Sequence, residues 1–333
     1  MKVSFPGFVD LQVNGFAGVD FNTPGLSAKQ ISAALSAMQA TGVTRCLPTL
    51  ITSSFEQFAR CAGALRACSD PMITGFHMEG PYLSPLEGAR GAHSSADIVQ
   101  GTLEDFLRRQ DAADGRIMLV TLAPEIPGAL RLIEALTSRH VRVAIGHTMA
   151  NRAQIRDAVS AGAVLSTHLG NGCPQMLHRH DNVIWEQLGA DELSASLIAD
   201  GHHLPPSVLK SIVRAKGLTR SILITDAVAA AGALPGHYRL GKVDVQLDAT
   251  GRVSEPGRPH LAGSALTMPT EIANAARFCS LGIYDVLPLA THNPARLLGF
   301  APTGRVEAEW DPTHHRLTIA GVLPDAAAPI AQT

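Results

Sequence analysis

The chain has 333 residues, of which 46% are hydrophobic and 17% charged, and its formal net charge is -2. This length supplies a large buried core, either for one α/β barrel with a small appendage or for two ordinary domains. The balanced charge, without long basic or acidic runs, gives no support to broad binding of nucleic acids or membrane surfaces.

The cysteines and the N-terminal segment indicate the cellular compartment in which the protein is expected. The five cysteines lie at irregular positions (46, 61, 68, 173 and 279), so they do not form a disulfide framework and fit a reducing cytoplasm. The opening MKVSFPGFVDLQVNG has no sustained apolar region, so we expect no secretion signal. No run approaches the roughly 20 apolar residues of a membrane span.

Short β-rich runs alternate with helical patterns along most of the chain. The predicted strands span residues 8–14, 43–50, 73–79, 116–123, 141–147, 163–169, 195–200 and 221–227. The predicted helices between them span residues 27–42, 54–68, 127–139, 151–162 and 205–217. Several strands are apolar without alternation, which is typical of strands covered on both faces. This order predicts a parallel sheet built from βα units.

Eight βα units favour an α/β fold of the (β/α)8 barrel type. A doubly wound open sheet is the rival, but no G-x-G-x-x-G follows the first strand, so a dinucleotide-binding fold lacks its fingerprint.

Two segments, 237–255 and 305–322, instead have the pattern of β-hairpins, and two helical patterns at 268–282 and 283–299 lie between them. We therefore expect a barrel from residues 1–235 and 262–300, and one small, reduced β subdomain from 236–261 and 302–325. A frayed tail is expected at 326–333.

The ends of the predicted strands carry residues suited to chemistry. Strand three ends at Glu79, strand five at His147, strand six at His168 and strand eight at Asp226. Barrel enzymes build their sites at the C-terminal ends of the strands, so these four side chains are expected to converge. A single one of the 14 histidines in the chain is more often a surface or packed residue, but the joint placement favours a site.

The convergent residues suit metal-assisted hydrolysis. One carboxylate and two imidazoles, here Glu79, His147 and His168, bind a divalent cation such as zinc and leave a position for water. The bound cation lowers the pKa of that water. Asp226, left unligated, is the candidate to take the proton and pass it to a leaving group.

An ordered set of motifs resembles the amidohydrolase superfamily, and within it the N-acetylglucosamine-6-phosphate deacetylase family. The motifs are PGFVDLQVNG, GFHMEGPYLS, RGAH, IGHTMAN, THLGNG, ADGHH, ITDAVAAAG, LAGSALTM and ATHNPARLLG. They occur in the family order across most of residues 6–299. Each motif alone is weakly specific, whereas the ordered set is highly specific.

The resemblance implies a role for each matching position. It gives Glu79, His147 and His168 as metal ligands, Asp226 as general base and then acid, and His93 as the group that polarises the amide carbonyl. It also implies that the contacts to the sugar phosphate are made by Asn171, Gly172, Arg179, His203 and Leu261. Arg179 and His203 are expected to reach into the site of a neighbouring subunit, which implies a homodimer.

The first strand bears on the number of metal ions. Many amidohydrolases have His-x-His there, whereas this chain has Gln12-x-Asn14, as the resembling branch does. Amides are poorer zinc ligands than imidazoles, so we expect one divalent metal per chain, with Gln12 bonding the water or the substrate. Zinc is the leading candidate. Iron(II), cobalt and manganese are alternatives, and the metal that is bound depends on which of them is available.

The expected activity is hydrolysis of the acetamide of N-acetylglucosamine 6-phosphate by a cytoplasmic, metal-dependent deacetylase. Two alternatives stay open. The first is the same chemistry on another N-acyl amino sugar, either N-acetylgalactosamine 6-phosphate or an unphosphorylated sugar. The second is a sugar-phosphate-binding relative without turnover, which would have no need for the Glu79, His147, His168 and Asp226 set.

Overall fold

The computed structural model describes residues 1–258 and 260–323. The predicted tail at 326–333 lies outside the described residues. The strands are β1 Lys2–Pro6, β2 Phe8–Val13, β3 Gly15–Phe16, β4 Val19–Asp20, β5 Val43–Ile51, β6 Phe76–Glu79, β7 Ile117–Leu122, β8 Arg142–Ile145, β9 Leu165–Ser166, β10 Ser194–Leu197, β11 Ser221–Leu223, β12 Gly236–Leu240, β13 Val243–Leu247, β14 Val253–Ser254, β15 Arg305–Asp311 and β16 Arg316–Leu323.

Within those ranges the chain also forms α-helices and two short 3-10 helices. The α-helices are α1 Ala28–Gln39, α2 Phe55–Cys68, α3 Leu103–Ala112, α4 Ala129–Thr137, α5 Arg152–Ser160, α6 Val183–Gly189, α7 Pro206–Lys216, α8 Met268–Cys279, α9 Ile283–Ala290 and α10 His292–Leu298. The 3-10 helices are Ser95–Asp97 and Leu218–Arg220. None of the described helices is both long and apolar enough to cross a membrane.

The predicted (β/α)8 barrel is confirmed. Eight strands form one sheet in the order β11-β10-β9-β8-β7-β6-β5-β2, and all of their pairings are parallel. The sheet closes where Val13 bridges Ala227 in parallel, and the backbone N–H of Asn14 donates to the Ala227 carbonyl at 2.7 Å. The doubly wound alternative is therefore wrong, because an open sheet has two free edges that do not meet.

The barrel interior is filled by side chains from strands all around the sheet. One buried cluster unites Leu11 of β2, Leu47 of β5, Leu119 of β7, Leu165 of β9 and Ile222 of β11. Strands that are far apart in the sheet order can share such a cluster only if the sheet curves back on itself. A larger cluster lies outside it and unites strand and helix residues, which gives the two-faced burial expected of parallel strands.

The predicted helices form, with two differences. The region 283–299 divides into α9 and α10 at Thr291. Pro294 explains the break, because its ring nitrogen cannot donate to a carbonyl four residues earlier and its ring clashes with that carbonyl. The structure also adds α3 and α6, which were not among the predicted helices.

The two predicted hairpins form, but they lie in separate sheets. β12, β13 and β14 make one three-stranded antiparallel sheet, while β15 and β16 pair with β1 in another. The two hairpins therefore do not pair with each other. The N-terminal strand β1, which was not predicted, pairs with the edge of β15 from Lys2 to Pro6. The division of the chain into a barrel and a β subdomain stays a prediction.

Candidate active site

Three of the predicted site residues leave their strands through the same backbone conformation. His147 (φ 49), His168 (φ 31) and Asp226 (φ 47) have left-handed backbones just beyond β8, β9 and β11. This conformation is uncommon for residues other than glycine and occurs mainly where the surrounding structure enforces it, often at functional sites. The turn ends the strand and lets the side chain point into the mouth of the barrel.

The predicted ligands meet at one point. Glu79, His147 and His168 are buried, and one ligand atom from each lies within 4.8 Å of the other two. Glu79 Oε1 is 3.3 Å from His147 Nε2 and 3.1 Å from His168 Nε2, and the two imidazole nitrogens are 3.2 Å apart. Three residues from separate strands therefore present their donor atoms to a common centre.

The residues present fit a divalent metal. In a tetrahedral zinc site with bonds of about 2.0–2.1 Å, neighbouring ligand atoms lie about 3.3 Å apart, which is close to the separations found here. His147 Nδ1 lies 2.9 Å from the Ala89 carbonyl, so we assign its proton to Nδ1, which leaves the Nε2 lone pair facing the centre. Electron pairs gathered this closely repel one another unless a cation lies between them.

Two glycines enclose the His147 ring. A Cβ on Gly172 would lie 2.9 Å from His147 Nδ1, and a Cβ on Gly91 would lie 3.2 Å from its Cε1. Both glycines have φ +58, so their left-handed backbones also favour glycine. The loops that carry Gly91 and Gly172 can therefore pack directly against this imidazole and hold its plane.

We expect Gly172→Ala to lower the affinity for the metal by about 10- to 100-fold, the usual effect of disturbing a group that orients a ligand. The added methyl would push the His147 ring out of the ligand plane. Zinc titration against a competing chelator measures the change. Gly115→Ala is the matched control, because Gly115 is also left-handed (φ +73) but has no atom within 4 Å of its Cβ position. Equal zinc affinity in both variants would contradict this role of Gly172.

Asp226 is held by the side-chain amides of Gln12 and Asn14, at the end of β2. Its Oδ1 accepts hydrogen bonds from Asn14 Nδ2 at 2.7 Å and from Gln12 Nε2 at 3.1 Å. Gln12 Nε2 also donates to Glu79 Oε1 at 2.9 Å, so one amide group spans the candidate ligand and the candidate base. Asn14 was not among the predicted site residues, although its place two residues after Gln12 puts it on the same side of the strand.

The side chain of Gln12 is engaged by the two carboxylates. Gln12 is 2% exposed, and its side-chain NH2 group donates to Glu79 and Asp226. An amide with both N–H groups engaged in this way positions its acceptors and has only its oxygen left for another partner. Gln12 therefore positions Glu79 and Asp226, and its contact with the water or the substrate stays a prediction.

Burial and close charges shift the pKa values of these groups. Burial and the neighbouring Glu79 carboxylate raise the pKa of Asp226 to about 7. Burial alone would also raise the pKa of Glu79, but the adjacent imidazoles of His147 and His168 bring it well below its usual value. Burial is the main cause that lowers the pKa of His93 to about 3, and the nearby His147 is the second cause.

His93 reaches the same centre from the loop after β6. Its Nε2 lies 3.2 Å from His147 Nε2 and 3.9 Å from Glu79 Oε2, and the two imidazole rings meet edge to face. It does not belong to the group of three ligand atoms that share the common centre. The position suits a side chain that hydrogen-bonds a reacting group beside the metal.

A cavity of about 480 Å³ opens above these residues. The predicted residues that line it are Glu79, His93, His147, His168, Asn171, Gly172, His203, Asp226 and Leu261. Its wall also includes the apolar side chains Ile51, Leu177, Ile184 and Leu240. Among the described residues that line it there is no lysine or arginine, so an anionic ligand would find no such cation here within a single chain.

Asn171 and Gly172 form a tight turn after His168. The Asn171 backbone N–H donates to the His168 carbonyl at 3.0 Å, and Asn171 Nδ2 donates to the same oxygen at 3.2 Å. The backbone N–H of Asn171 is therefore engaged within the turn. Gly172 also lines the cavity.

His203 and Arg179 lie in different places. His203 lines the cavity of its own chain and is fixed by Asp200, whose Oδ2 lies 2.6 Å from His203 Nδ1. That His203 also reaches a neighbouring subunit's site stays a prediction. Arg179 is exposed and does not line the cavity; its carbonyl accepts a hydrogen bond from Trp185 Nε1 at 3.0 Å.

Comparison with known proteins gives consistent results. A sequence model described as the amidohydrolase family matches residues 3–312. N-acetylglucosamine-6-phosphate deacetylase of Lysinibacillus sphaericus is 31% identical over 315 residues, which is 93% of this chain and 80% of that protein. N-acetylgalactosamine-6-phosphate deacetylase of Shewanella sp. is 31% identical over 314 residues, covering 91% of this chain and 77% of that protein.

Solved structures show the same likeness. A mutant of N-acetyl-D-glucosamine-6-phosphate deacetylase from Mycobacterium smegmatis, in complex with N-acetyl-D-glucosamine-6-phosphate, superimposes with a TM-score of 0.88 at 32% sequence identity. The match covers 97% of this chain and 86% of that one.

Proposed function

The chain belongs to the amidohydrolase family, and within it to the N-acetylglucosamine-6-phosphate deacetylases, and from this premise we propose the reaction and the roles of its residues. It is a metal-dependent hydrolase that acts on an amide. Its reaction is hydrolysis of the acetamide of N-acetylglucosamine 6-phosphate to glucosamine 6-phosphate and acetate. This proposal rests on one observation. Glu79, His147 and His168 lie together beside Asp226 in one cavity.

Glu79, His147 and His168 would hold a single divalent metal, most suitably zinc. Two imidazoles and one carboxylate suit zinc, and iron(II), cobalt and manganese are the alternatives. When bound there, a divalent metal supplies Lewis acidity to water and to the amide carbonyl. Gln12 and Asn14 favour one metal over two, since their amide N–H groups already donate to Asp226.

Asp226 is the proposed general base and acid. Its Oδ1 is fixed by Asn14 and Gln12, and the carboxylate faces the cavity, where it can take the proton of the attacking water. The same carboxyl then gives that proton to the leaving nitrogen of the amino sugar. His93 would donate a hydrogen bond to the carbonyl oxygen as negative charge develops there.

A second copy of the chain would add a cation to the binding of the phosphate. The cavity-lining residues that the structure describes include no lysine or arginine, while Arg179 lies outside on the segment that follows Gly172. Close to it, Met176 is 89% exposed and Trp185 53% exposed, an apolar surface suited to a subunit contact. We therefore propose a homodimer in which Arg179 of each subunit pairs with the phosphate bound by its partner.

We expect Arg179→Ala to raise the KM for N-acetylglucosamine 6-phosphate by about 10- to 100-fold, the cost of one charge-assisted hydrogen bond to phosphate, and to leave kcat less affected. Steady-state kinetics and sedimentation of both forms measure the two properties. Arg316→Ala is the control, because Arg316 is an exposed arginine on β16. If Arg179→Ala changed KM no more than this control does, the proposed phosphate contact would be wrong.

An acetate-release assay tests the function itself. Purified protein with zinc added is incubated with N-acetylglucosamine 6-phosphate, N-acetylgalactosamine 6-phosphate and their unphosphorylated sugars. We expect the highest kcat/KM with N-acetylglucosamine 6-phosphate. Binding of the sugar phosphate without acetate release, in fully metallated protein, would instead favour a relative without turnover.

A second substrate is favoured by one specific observation. The Shewanella enzyme, which is named for N-acetylgalactosamine 6-phosphate, is as similar in sequence as the relatives named for the glucosamine compound. The two sugars differ in the orientation of one hydroxyl group, so the same metal chemistry serves both. The ratio of the two kcat/KM values decides between them. A cytoplasmic location stays a prediction.

A further inference from the structure

A buried aspartate joins the first and the last strand of the barrel. β2 and β11 are the two ends of the sheet order, so the barrel closes where they meet. Asp10 of β2 lies at this seam and is completely buried. Its Oδ2 accepts a hydrogen bond from the Thr225 hydroxyl at 2.5 Å, and its Oδ1 accepts from the backbone N–H groups of Thr225 and Gln12, both at 3.3 Å. The carboxylate therefore holds Thr225, the residue immediately before Asp226.

The Thr225 hydroxyl extends this contact to the other side of Asp226. While the hydroxyl donates to Asp10, its oxygen accepts a hydrogen bond from the backbone N–H of Ala227 at 3.1 Å. Asp10 and Thr225, the seam pair, thus hold the backbone N–H groups of the residues on both sides of Asp226. One of these groups bonds the Asp10 carboxylate directly, and the other bonds it through the hydroxyl.

The backbone of Asp226 requires such contacts. Its φ of 47 lies in the left-handed region, which residues other than glycine adopt mainly where the surrounding structure enforces it. The carbonyl groups are held as well, because the Ser264 hydroxyl donates to the Thr225 carbonyl at 2.5 Å and the Ser264 N–H donates to the Asp226 carbonyl at 2.9 Å. This turn directs the Asp226 carboxylate into the cavity.

The position of Asp10 is a demanding one for a carboxylate. Burial raises its pKa to about 6, and the hydrogen bonds from Thr225 and Gln12 limit that rise. A buried charged group is tolerated only where hydrogen-bond donors surround it. The donors here all lead to the proposed base: Thr225 precedes Asp226 in the chain, and the Gln12 side chain donates to Asp226 Oδ1.

We propose that Asp10, acting through the Thr225 hydroxyl, is a positioning residue that holds the Asp226 carboxylate in the direction needed for proton transfer. Neither member of the seam pair is among the described residues that line the cavity, so the pair acts on the reaction through Asp226. This inference rests on the proposed function, because it takes Asp226 to be the proton carrier. Misplacement of a reacting group by about 1 Å can lower the rate by about 10²-fold, so loss of the left-handed turn has a measurable effect.

The test begins with a pair of substitutions in the full-length, zinc-loaded enzyme. Thr225→Val removes the hydroxyl and keeps the branched shape of the side chain, whereas Thr225→Ser keeps the hydroxyl. We expect Thr225→Val to lower kcat for N-acetylglucosamine 6-phosphate by about 10- to 100-fold, with KM and zinc content close to those of the unaltered enzyme. Thr225→Ser should retain most of kcat.

Asp10→Asn examines the other member of the seam pair. An asparagine has one carbonyl oxygen for the three hydrogen bonds that the Asp10 carboxylate accepts, so at least one donor loses its partner. We expect the same fall in kcat as in Thr225→Val. The valine and serine variants of Thr225 carry the test by themselves if Asp10→Asn does not fold.

A double-mutant cycle separates positioning from a general effect on the fold. In an Asp226→Asn background the carboxylate is absent, so Thr225→Val should change the residual rate of acetate release less than twofold. An equal loss of rate with and without the Asp226 carboxylate would overturn the proposal. A kcat in Thr225→Val within twofold of the unaltered enzyme would overturn it too.

Thr44→Val is the matched control for the loss of a buried hydroxyl. Thr44 is buried on β5 and donates to the Thr303 carbonyl at 3.0 Å, and it is not among the described residues that line the cavity. This substitution should leave kcat close to that of the unaltered enzyme. Thermal unfolding is measured for every variant.

A second measurement does not depend on turnover. Hydrogen exchange followed by mass spectrometry reports how often the backbone N–H of Ala227 opens. We expect about tenfold faster exchange there in Thr225→Val, the effect of one lost hydrogen bond, and no change in Thr225→Ser or Thr44→Val. Unchanged exchange at Ala227 in Thr225→Val would contradict the role of the seam pair. If the unaltered enzyme instead released no acetate from any acetylated sugar, the proposed function would have failed, and the exchange data would still show whether the seam pair holds this turn.

Discussion

Replacing Asp226 with asparagine is expected to lower kcat by about 10²–10⁴-fold, the usual contribution of general acid–base catalysis. The asparagine oxygen can still accept the hydrogen bonds that Asn14 and Gln12 donate to Asp226 Oδ1, so the side chain keeps its place. An amide, however, cannot take a proton from water at neutral pH. The loss should therefore appear in kcat, with zinc content and secondary structure unchanged.

A second buried aspartate is the control for this substitution. Asp20 accepts hydrogen bonds from Asn22, Thr23 and the Gly241 backbone, at a turn that takes no part in the cavity lining. Asp20→Asn should lower the melting temperature and leave kcat close to that of the unaltered enzyme. Near-normal turnover in Asp226→Asn, measured as acetate release at saturating substrate, would refute the assignment of Asp226 as the proton carrier.

Removal of the metal is expected to reduce acetate release to the background level, and added zinc should restore it. The Glu79, His147 and His168 donors converge in a buried cluster, so the carboxylate and imidazoles would be left without the cation that they are arranged to bind. Metal analysis of protein purified without chelators should give one equivalent per chain. Dialysis against a chelator, followed by stepwise addition of zinc, measures both activity and stoichiometry.

The histidines provide the corresponding control. His147→Ala should remove both bound zinc and activity, whereas His314→Ala should change neither, because His314 is exposed on a hairpin turn. Two metal equivalents per chain would contradict the expectation of a single site. Such a result would mean that the Gln12 and Asn14 amides do not keep a second cation away from Asp226.

The barrel and the candidate metal ligands could be predicted from the sequence because both follow from local patterns. A parallel strand covered on both faces must be apolar along its length, so Glu79, His147, His168 and Asp226 stand out where four such runs stop. The barrel topology then brings the ends of all strands to one face. Their convergence needs no knowledge of loop conformations, and the short distances between the ligand atoms of Glu79, His147 and His168 agree with it.

The remaining parts of the site depend on loops and on atoms outside the motifs. The Ala89 carbonyl that fixes His147, and Gly91 and Gly172 that enclose its ring, come from segments far apart in the chain. No local pattern shows that two glycines will face one imidazole. For the same reason no local pattern shows that the Gln12 amide donates to both Glu79 and Asp226.

The sequence alone determined the class of fold, the donor atoms available for a metal and the family, since these depend on residue type, spacing and order. Only the tertiary structure decided which partners each polar group has: His203 faces its own cavity and Arg179 does not. It also placed the two hairpins in different sheets, one of them completed by β1. Hydrogen bonding and strand pairing between distant segments depend on where the folded backbone brings them together, and spacing along the chain does not specify that distance.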